Sequence, residues 1–121
     1  MTMKKIALIA GLSVRRAISK LTTKPIFIKW PNDLVLNNKK LGGILSEISF
    51  DEDRIKYIVC GIGINVSNRE FNDEILNVAT SLYKEGIKNI DSKLLCDEII
   101  KTFQEYYDVF ISSGIEELID E

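Results

Sequence analysis

A lysine stands at the end of an apolar strand in the stretch IKWPNDLVL, residues 28–36. Side chains alternate along a strand, so Ile26 and Ile28 share one face while Phe27 and Lys29 share the other. A lysine at such a place commonly extends its ammonium group along a sheet edge into solvent. Here the residues PND follow closely and rigidify the exit of the strand. Lys29 is therefore a positioned point charge, suited to a phosphate or a carboxylate.

Two pairs of glycines lie inside segments that otherwise have strand character. Gly42 and Gly43 belong to KKLGGIL, and Gly61 and Gly63 belong to GIGIN. Glycine weakens a strand, so Gly42 and Gly43 indicate either a bulge or a place where a flat ligand lies against bare backbone. GIGIN lacks the third glycine and the following helix of a dinucleotide-binding fingerprint, and the chain has no P-loop.

The composition excludes several classes of function. The 121 residues include 16 basic and 18 acidic ones, and this balance produces no field that favours nucleic acid or an anionic membrane. The pair Lys39-Lys40 is interpreted as solvated surface. The chain has no histidine, which removes His-based triads and imidazole metal sites, and no metal site is predicted. Cys60 and Cys96, far apart, are interpreted as reduced thiols of a cytoplasmic protein.

An antiparallel meander is predicted over residues 26–66, and it must position Lys29 and the glycines. Asn37 and Asn38 supply the positive-φ residues of a hairpin turn, and DEDR, residues 51–54, forms a second turn. The last strand, IKYIVCGIGINVS, is apolar on both faces, so a central place in the sheet is predicted for it.

Three helices are predicted, one before this meander and two after it. Amphipathic spacing covers residues 4 to about 22, residues 73–85 with Gly86 as the stop, and about 92–113 after a cap at Asp91 or Ser92. The order helix, strands, helices predicts an α+β fold, with helices packed on one face of a mostly antiparallel sheet. The buried stripe of the last helix is predicted to contain Leu95, Ile99, Phe103, Tyr106 and Phe110.

Four short motifs follow one another at a spacing that is more specific than any one of them. They are KWPND at 29–33, KLGGIL at 40–45, GIGINV at 61–66 and ATSL at 79–82. In this succession the chain resembles the biotin–protein ligase family. The resemblance implies the α+β, class II synthetase-like catalytic domain of biotin and lipoate ligases.

The resemblance also implies a reaction and its residues. Members of the family join biotin to ATP, with Mg²⁺ accompanying the nucleotide, and then pass the biotinyl group to a lysine of a biotin carboxyl carrier protein. Carried onto this sequence, Lys29 is the catalytic residue. The expected biotin-binding residues are Lys29, Leu34, Gly42 and Gly43, and the expected nucleotide-binding residues are Gly61, Gly63 and Asn65.

The likeness covers only part of the family's catalytic domain. The glycine- and arginine-rich biotin loop of the family precedes the matched region, and the first 25 residues here are predicted as one helix instead. We therefore expect residues 1–121 to be the C-terminal half of a catalytic domain, without a separate DNA-binding or C-terminal β domain. An exposed sheet edge and homo-oligomerisation are expected from this. Two alternatives stay open, a lipoate–protein ligase and a non-catalytic binding module of the same fold.

Overall fold

The computed structural model describes residues 3–29 and 32–113. The described residues form one helix, then one antiparallel sheet and then a second helix, which confirms the α+β prediction. Trp30 and Pro31, which follow the predicted strand, and Gly114, which follows the last predicted helix, lie outside the described residues. The elements are α1 (Met3–Ser19), β1 (Ile26–Lys29), β2 (Asp33–Leu36), β3 (Lys39–Asp51), β4 (Arg54–Ile64) and α2 (Ser92–Ser113).

The four strands form one meander in the order β1-β2-β3-β4, with each strand antiparallel to the next. Asn37 and Asn38 have φ angles of 53° and 61°, so they form the left-handed β2–β3 turn that was predicted. Glu52, with φ 57°, makes the corresponding turn between β3 and β4. The two predicted hairpin turns are thus confirmed.

The prediction of a central last strand is wrong for the sheet of the described residues. β4 pairs with β3 alone and forms one edge of the sheet. Tyr57 and Val59 are exposed, and the helix-facing Ile58 and Ile62 are only half-buried. The apolar character of both faces of β4 therefore corresponds to surfaces that remain open in this structure.

The core lies between one face of the sheet and α1. Gly11 allows the close approach of this helix, because a methyl group there would come within 2.9 Å of Ile28 Cδ1. Helix α1 ends at Ser19 rather than at about residue 22, and Leu21 lies beyond it and is 46% exposed. Fully buried core side chains include Ile9, Val14, Ile18, Leu34, Leu36, Leu41 and Leu82.

Helix α2 begins as predicted and packs against α1. The Asp91 carboxylate accepts hydrogen bonds from the backbone N–H groups of Lys93 and Leu94 at 2.9 and 3.3 Å, which identifies it as the N-cap. Of the predicted stripe, Leu95, Ile99 and Tyr106 are buried, whereas Phe103 and Phe110 are half-buried. No helix of the described residues is long and apolar enough to span a membrane.

The helix predicted over residues 73–85 is wrong. The segment consists of turns, and its apolar residues Ile75 and Val78 are exposed. Ala79 instead forms a parallel bridge with Lys40 of β3. The backbone of this segment forms local turns and also bonds to the sheet at Lys40, so tertiary contacts override the helical spacing.

Candidate functional site

A single row of residues crosses the open face of the sheet, the face away from α1. The register pairs Lys29 with Asp33, Asp33 with Gly43, and Gly43 with Gly63. Residues paired across strands project to the same side of a sheet. The structure therefore brings Lys29 to the same face as Gly43 and Gly63, two strands or about 10 Å from Gly43 at the usual strand spacing.

The four strand glycines differ in what would oppose a side chain. A Cβ on Gly42 would lie 2.0 Å from the carbonyl oxygen of Gly63, so the approach of the two backbones requires glycine there. At Gly43 and Gly61 the nearest atoms would be 3.6 and 3.7 Å away, and at Gly63 nothing lies within 4 Å. Packing explains Gly42. It does not explain the other three, which leave bare backbone facing open space.

These bare glycines form the floor of a shallow cavity of about 520 Å³. We call this floor, made of Gly43, Gly61 and Gly63, the glycine floor. One side of the cavity is polar, with Asn32, Asp33 and Lys40, and the other is apolar. Among the described residues no cluster of His, Cys, Asp and Glu could hold a metal ion. The apolar lining consists of Ile44, Leu45 and Ile62.

Lys40 is a site residue that the sequence analysis placed on the solvated surface. Its ammonium group forms an ion pair with Asp33 Oδ1 at 3.4 Å, and a Cβ on Gly43 would lie 3.8 Å from its Nζ. The side chain is 55% exposed, so the charge stays available to a ligand on the glycine floor. Its position after an asparagine turn gave no signal of this, because the pairing with Asp33 depends on the tertiary register.

The ATSL motif fixes the backbone of Lys40. The Lys40 N–H donates to Val78 O at 2.7 Å, and Lys40 O accepts from the Thr80 N–H at 2.9 Å. A β-bulge next to Leu41 turns this residue of β3 into the core and leaves Lys40 on the open face. The sequence alone indicates no structural role for this motif. We call residues 79–82 the clip, because their hydrogen bonds position Lys40.

The clip is itself held by buried polar contacts. Thr80 Oγ1 donates to Glu85 Oε2 at 2.5 Å, and Lys24 Nζ lies 3.5 Å from Glu85 Oε1. Burial raises the pKa of Glu85, but the hydrogen bonds from Thr80, Lys24 and Asn37 and the charge of Lys24 outweigh it and lower the pKa below the usual value. Glu85 is thus held ionised beneath the clip.

Asn65 joins the clip to β4 and is less available than the sequence suggested. Its side-chain Nδ2 donates to Thr80 O at 3.1 Å, and its backbone bonds to Leu41 and Leu82. The side-chain oxygen can still accept a hydrogen bond from a ligand. Of the expected nucleotide-binding residues, Gly61 and Gly63 lie on the glycine floor.

Two of the expected biotin-binding residues project away from the glycine floor. Leu34 pairs with Gly42 in the row that faces α1, and its side chain is fully buried in the core. The side chain of Leu34 therefore cannot line the open cavity. Gly42 maintains the close spacing of β3 and β4, and only Gly43 of the pair forms part of the floor.

Comparisons with known proteins identify the family of the chain. The model of the "Biotin/lipoate A/B protein ligase family" matches residues 2–65, more than half of the chain. The chain belongs to this family. The predicted resemblance to biotin–protein ligases is thereby confirmed.

Several relatives of the chain are named as biotin ligases. The Bifunctional ligase/repressor BirA of Bacillus subtilis is 35% identical over 112 residues, which cover 91% of this chain and 34% of that protein. The Aquifex aeolicus biotin protein ligase, solved in complex with biotin and ATP, superposes with a TM-score of 0.83 and 36% identity, covering 96% of this chain and 48% of that one. The chain thus spans about a third of the curated relatives and half of the solved one.

Proposed function

We propose that this chain supplies part of the active site of a biotin–protein ligase. In the proposed reaction, biotin and ATP form biotinyl-5′-adenylate, and the biotinyl group then passes to a lysine of a biotin carboxyl carrier protein. The relatives are named as biotin ligases, and one solved relative holds biotin and ATP. The unpaired thiols Cys60 and Cys96 fit a cytoplasmic setting.

The glycine floor is the observation that carries the proposal. Gly43, Gly61 and Gly63 have no packing reason to lack side chains, and together they leave a flat strip of backbone beside Lys40. Lys29 lies on the same face, two strands from Gly43. A fused ring system requires such a strip if it is to lie against the sheet. The exposed side chain of Leu45 forms an apolar rim that suits the hydrocarbon part of the ligand.

The cations beside the floor have a defined task in adenylate formation. A carboxylate oxygen of biotin attacks the α-phosphorus of ATP, and the bond to the pyrophosphate oxygen breaks. Two anions must meet, so ammonium groups from Lys29 and Lys40 lower their repulsion and stabilise the charge of the transition state. Asp33 lies between these lysines in the strand register and orients Lys40 through its ion pair. The carboxylate is already the nucleophile, so this step needs no general base.

The second step transfers the acyl group to protein. The neutral amine of the carrier lysine attacks the biotinyl carbonyl carbon, AMP departs with the electrons of the mixed anhydride bond, and the amine loses a proton to solvent. The open face of the sheet leaves the floor accessible from outside, as a protein substrate requires.

Biotin-dependent exchange of pyrophosphate into ATP tests the proposal. The assay uses this chain together with the part of the Aquifex aeolicus ligase that has no counterpart here, because this chain covers 48% of that ligase. We expect exchange with biotin and none with lipoate. Exchange with lipoate alone would assign the chain to the lipoate branch of the family, and binding of biotin without exchange would identify a non-catalytic binding module.

A further inference from the structure

A groove of about 400 Å³ lies between the C-terminal half of α1 and the start of β1, and we call it the α1–β1 groove. Among the described strands, β1 forms the edge opposite to β4, and the groove shares no lining residue with the cavity above the glycine floor. The chain has more acidic than basic residues, yet the described residues that line the groove include no Asp or Glu. The groove is thus a locally cationic place in a slightly acidic protein, which favours an anionic ligand.

Three cations border the groove, and they differ in how far the protein already uses their charge. Lys24 Nζ donates to Glu85 O at 2.9 Å and lies 3.5 Å from Glu85 Oε1. Arg16 also interacts with other groups of the protein. Arg15, in contrast, is half-buried and has no hydrogen bond or ion pair to any of the described residues. Its planar guanidinium therefore keeps a fork of N–H donors that can bind two oxygens of one anion.

Two threonine hydroxyls in the same groove can donate to a further oxygen. Thr22 Oγ1 accepts a hydrogen bond from the Lys24 N–H at 3.1 Å, so its own proton remains free for a ligand. The Thr23 hydroxyl has no partner among the described residues. Ser19 differs, because its hydroxyl already donates to Arg16 O at 2.6 Å. One guanidinium and two hydroxyl donors match the three terminal oxygens of a phosphate better than the two oxygens of a carboxylate.

The inner wall of the groove is apolar. Leu12 and Ile26 are each 4% exposed there, and Tyr106 of α2 is 8% exposed beside them. Small-molecule sites usually enclose about 300–1,000 Å³ and combine such an apolar wall with a few placed polar groups. A bare phosphate ion would leave most of this wall uncovered. The groove therefore fits a phosphate that carries a small apolar body.

We propose that the α1–β1 groove is a binding site for a small phosphate monoester. The phosphate contacts Arg15, Thr22 and Thr23 at the rim, and the apolar body of the ligand covers Leu12 and Ile26. The edge of β1 has no further strand in the described part of the chain, so the ligand can enter from solvent along this edge. The inference is independent of the proposed function, because none of these residues belongs to the glycine floor or its cavity.

The binding experiment titrates the ¹⁵N-labelled 121-residue chain with phenyl phosphate, inorganic phosphate and benzoate at constant ionic strength. We expect phenyl phosphate to bind more tightly than the other two and to shift the backbone amide signals of Thr22, Thr23 and Lys24. Signal shifts confined to Gly43, Gly61 and Gly63 would overturn the proposal, because they would place the phosphate on the glycine floor. Inorganic phosphate that binds as tightly as phenyl phosphate would reduce the groove to a place for an ion alone, and benzoate that binds as tightly would remove the preference for phosphate. Either result would overturn the proposal.

Two arginines provide a matched pair of variants. Arg15→Gln removes the proposed phosphate ligand, and Arg54→Gln removes the same charge at the exposed start of β4, outside the groove. We expect Arg15→Gln to weaken the binding of phenyl phosphate by about tenfold or more, and Arg54→Gln to leave it unchanged. Equal effects in the two variants, or normal binding by Arg15→Gln, would refute the site.

A third variant keeps the test decisive if Arg15→Gln lowers the urea midpoint of the chain. Thr23→Val removes one hydroxyl from an exposed residue and nearly keeps the shape of the side chain. We expect it to weaken the binding of phenyl phosphate by about fivefold without changing the urea midpoint. Unchanged affinity in Thr23→Val would show that its hydroxyl does not contact the phosphate, which would overturn the proposed arrangement.

Discussion

Gly42 of β3 and Gly63 of β4, which lie diagonally across the strand pair, predict opposite consequences for the same substitution. A Cβ on Gly42 would sit 2.0 Å from the Gly63 carbonyl oxygen, and real contacts of this kind essentially never fall below 3.0 Å. The backbone of β4 would have to move by at least the 1.0 Å difference. Overpacking of this kind costs about 1–3 kcal/mol, and a lost ladder hydrogen bond about 1 kcal/mol more. We expect Gly42→Ala to lower the free energy of unfolding by about 2–4 kcal/mol.

Gly63→Ala should behave differently because nothing lies within 4 Å of the new methyl group. The substitution reduces the freedom of the unfolded chain, so stability should stay equal or rise by about 0.5 kcal/mol. Its cost should appear in binding, since the methyl group projects from the glycine floor into the space proposed for the ligand. In the reconstituted ligase we expect weaker biotin binding, and a further loss for Gly63→Val.

Urea unfolding of the 121-residue chain, followed by far-UV circular dichroism, measures the first effect. Biotin-dependent pyrophosphate exchange in the reconstituted ligase measures the second. A Gly42→Ala variant as stable as the parent would refute the β3–β4 register. A Gly63→Ala variant with normal biotin affinity would show that the glycine floor does not contact biotin.

Three further predictions concern charge. Lys29→Ala and Lys40→Ala should each lower the rate of pyrophosphate exchange in the reconstituted ligase, by up to about 10²–10³-fold for a group that stabilises transition-state charge. Neither substitution should change the urea midpoint. A variant with a normal exchange rate would show that its lysine has a structural role. Folding lowers the pKa of Glu85, so the stability that this carboxylate contributes is complete above the unfolded pKa of 4.5 and is lost as the pH falls through the folded pKa. Glu85→Gln should therefore flatten the dependence of the urea midpoint on pH below 4.5. Asp91→Ala removes the N-cap of α2 and should cost about 1 kcal/mol, most of which Asp91→Asn should retain, and an equal loss in both variants would contradict the cap.

Local chemistry determined the parts of the fold that the sequence predicted correctly. Asn37 and Asn38 tolerate positive φ and sit between apolar strands, so the hairpin turn needed no tertiary information. Asp91 likewise capped α2 at the predicted position because its carboxylate bonds within the first helical turn. Turns and caps depend on neighbours in sequence, and such neighbours are visible in the sequence itself.

The features that sequence reasoning missed depend on distant parts of the chain. β4 has the apolar pattern of a central strand, but the pattern does not say which strand or helix buries its two faces. Ile75 and Val78 have helical spacing, yet their segment bonds to the sheet at Lys40. The place of Lys40 beside Gly43 follows from a bulge and the clip, neither of which composition or periodicity reveals.

Side chains alternate between the two faces of the sheet along β3 and β4. Odd-numbered and even-numbered positions should therefore tolerate different kinds of mutation. Even-numbered positions from Gly42 to Ile44 and from Ile62 to Ile64 face the helices or hold the strands together, so selection there acts on folding. The odd-numbered positions between them face the cavity, so selection acts on the ligand. A family member that changed its substrate could therefore vary every second residue of these strands while leaving the stability of its domain almost untouched.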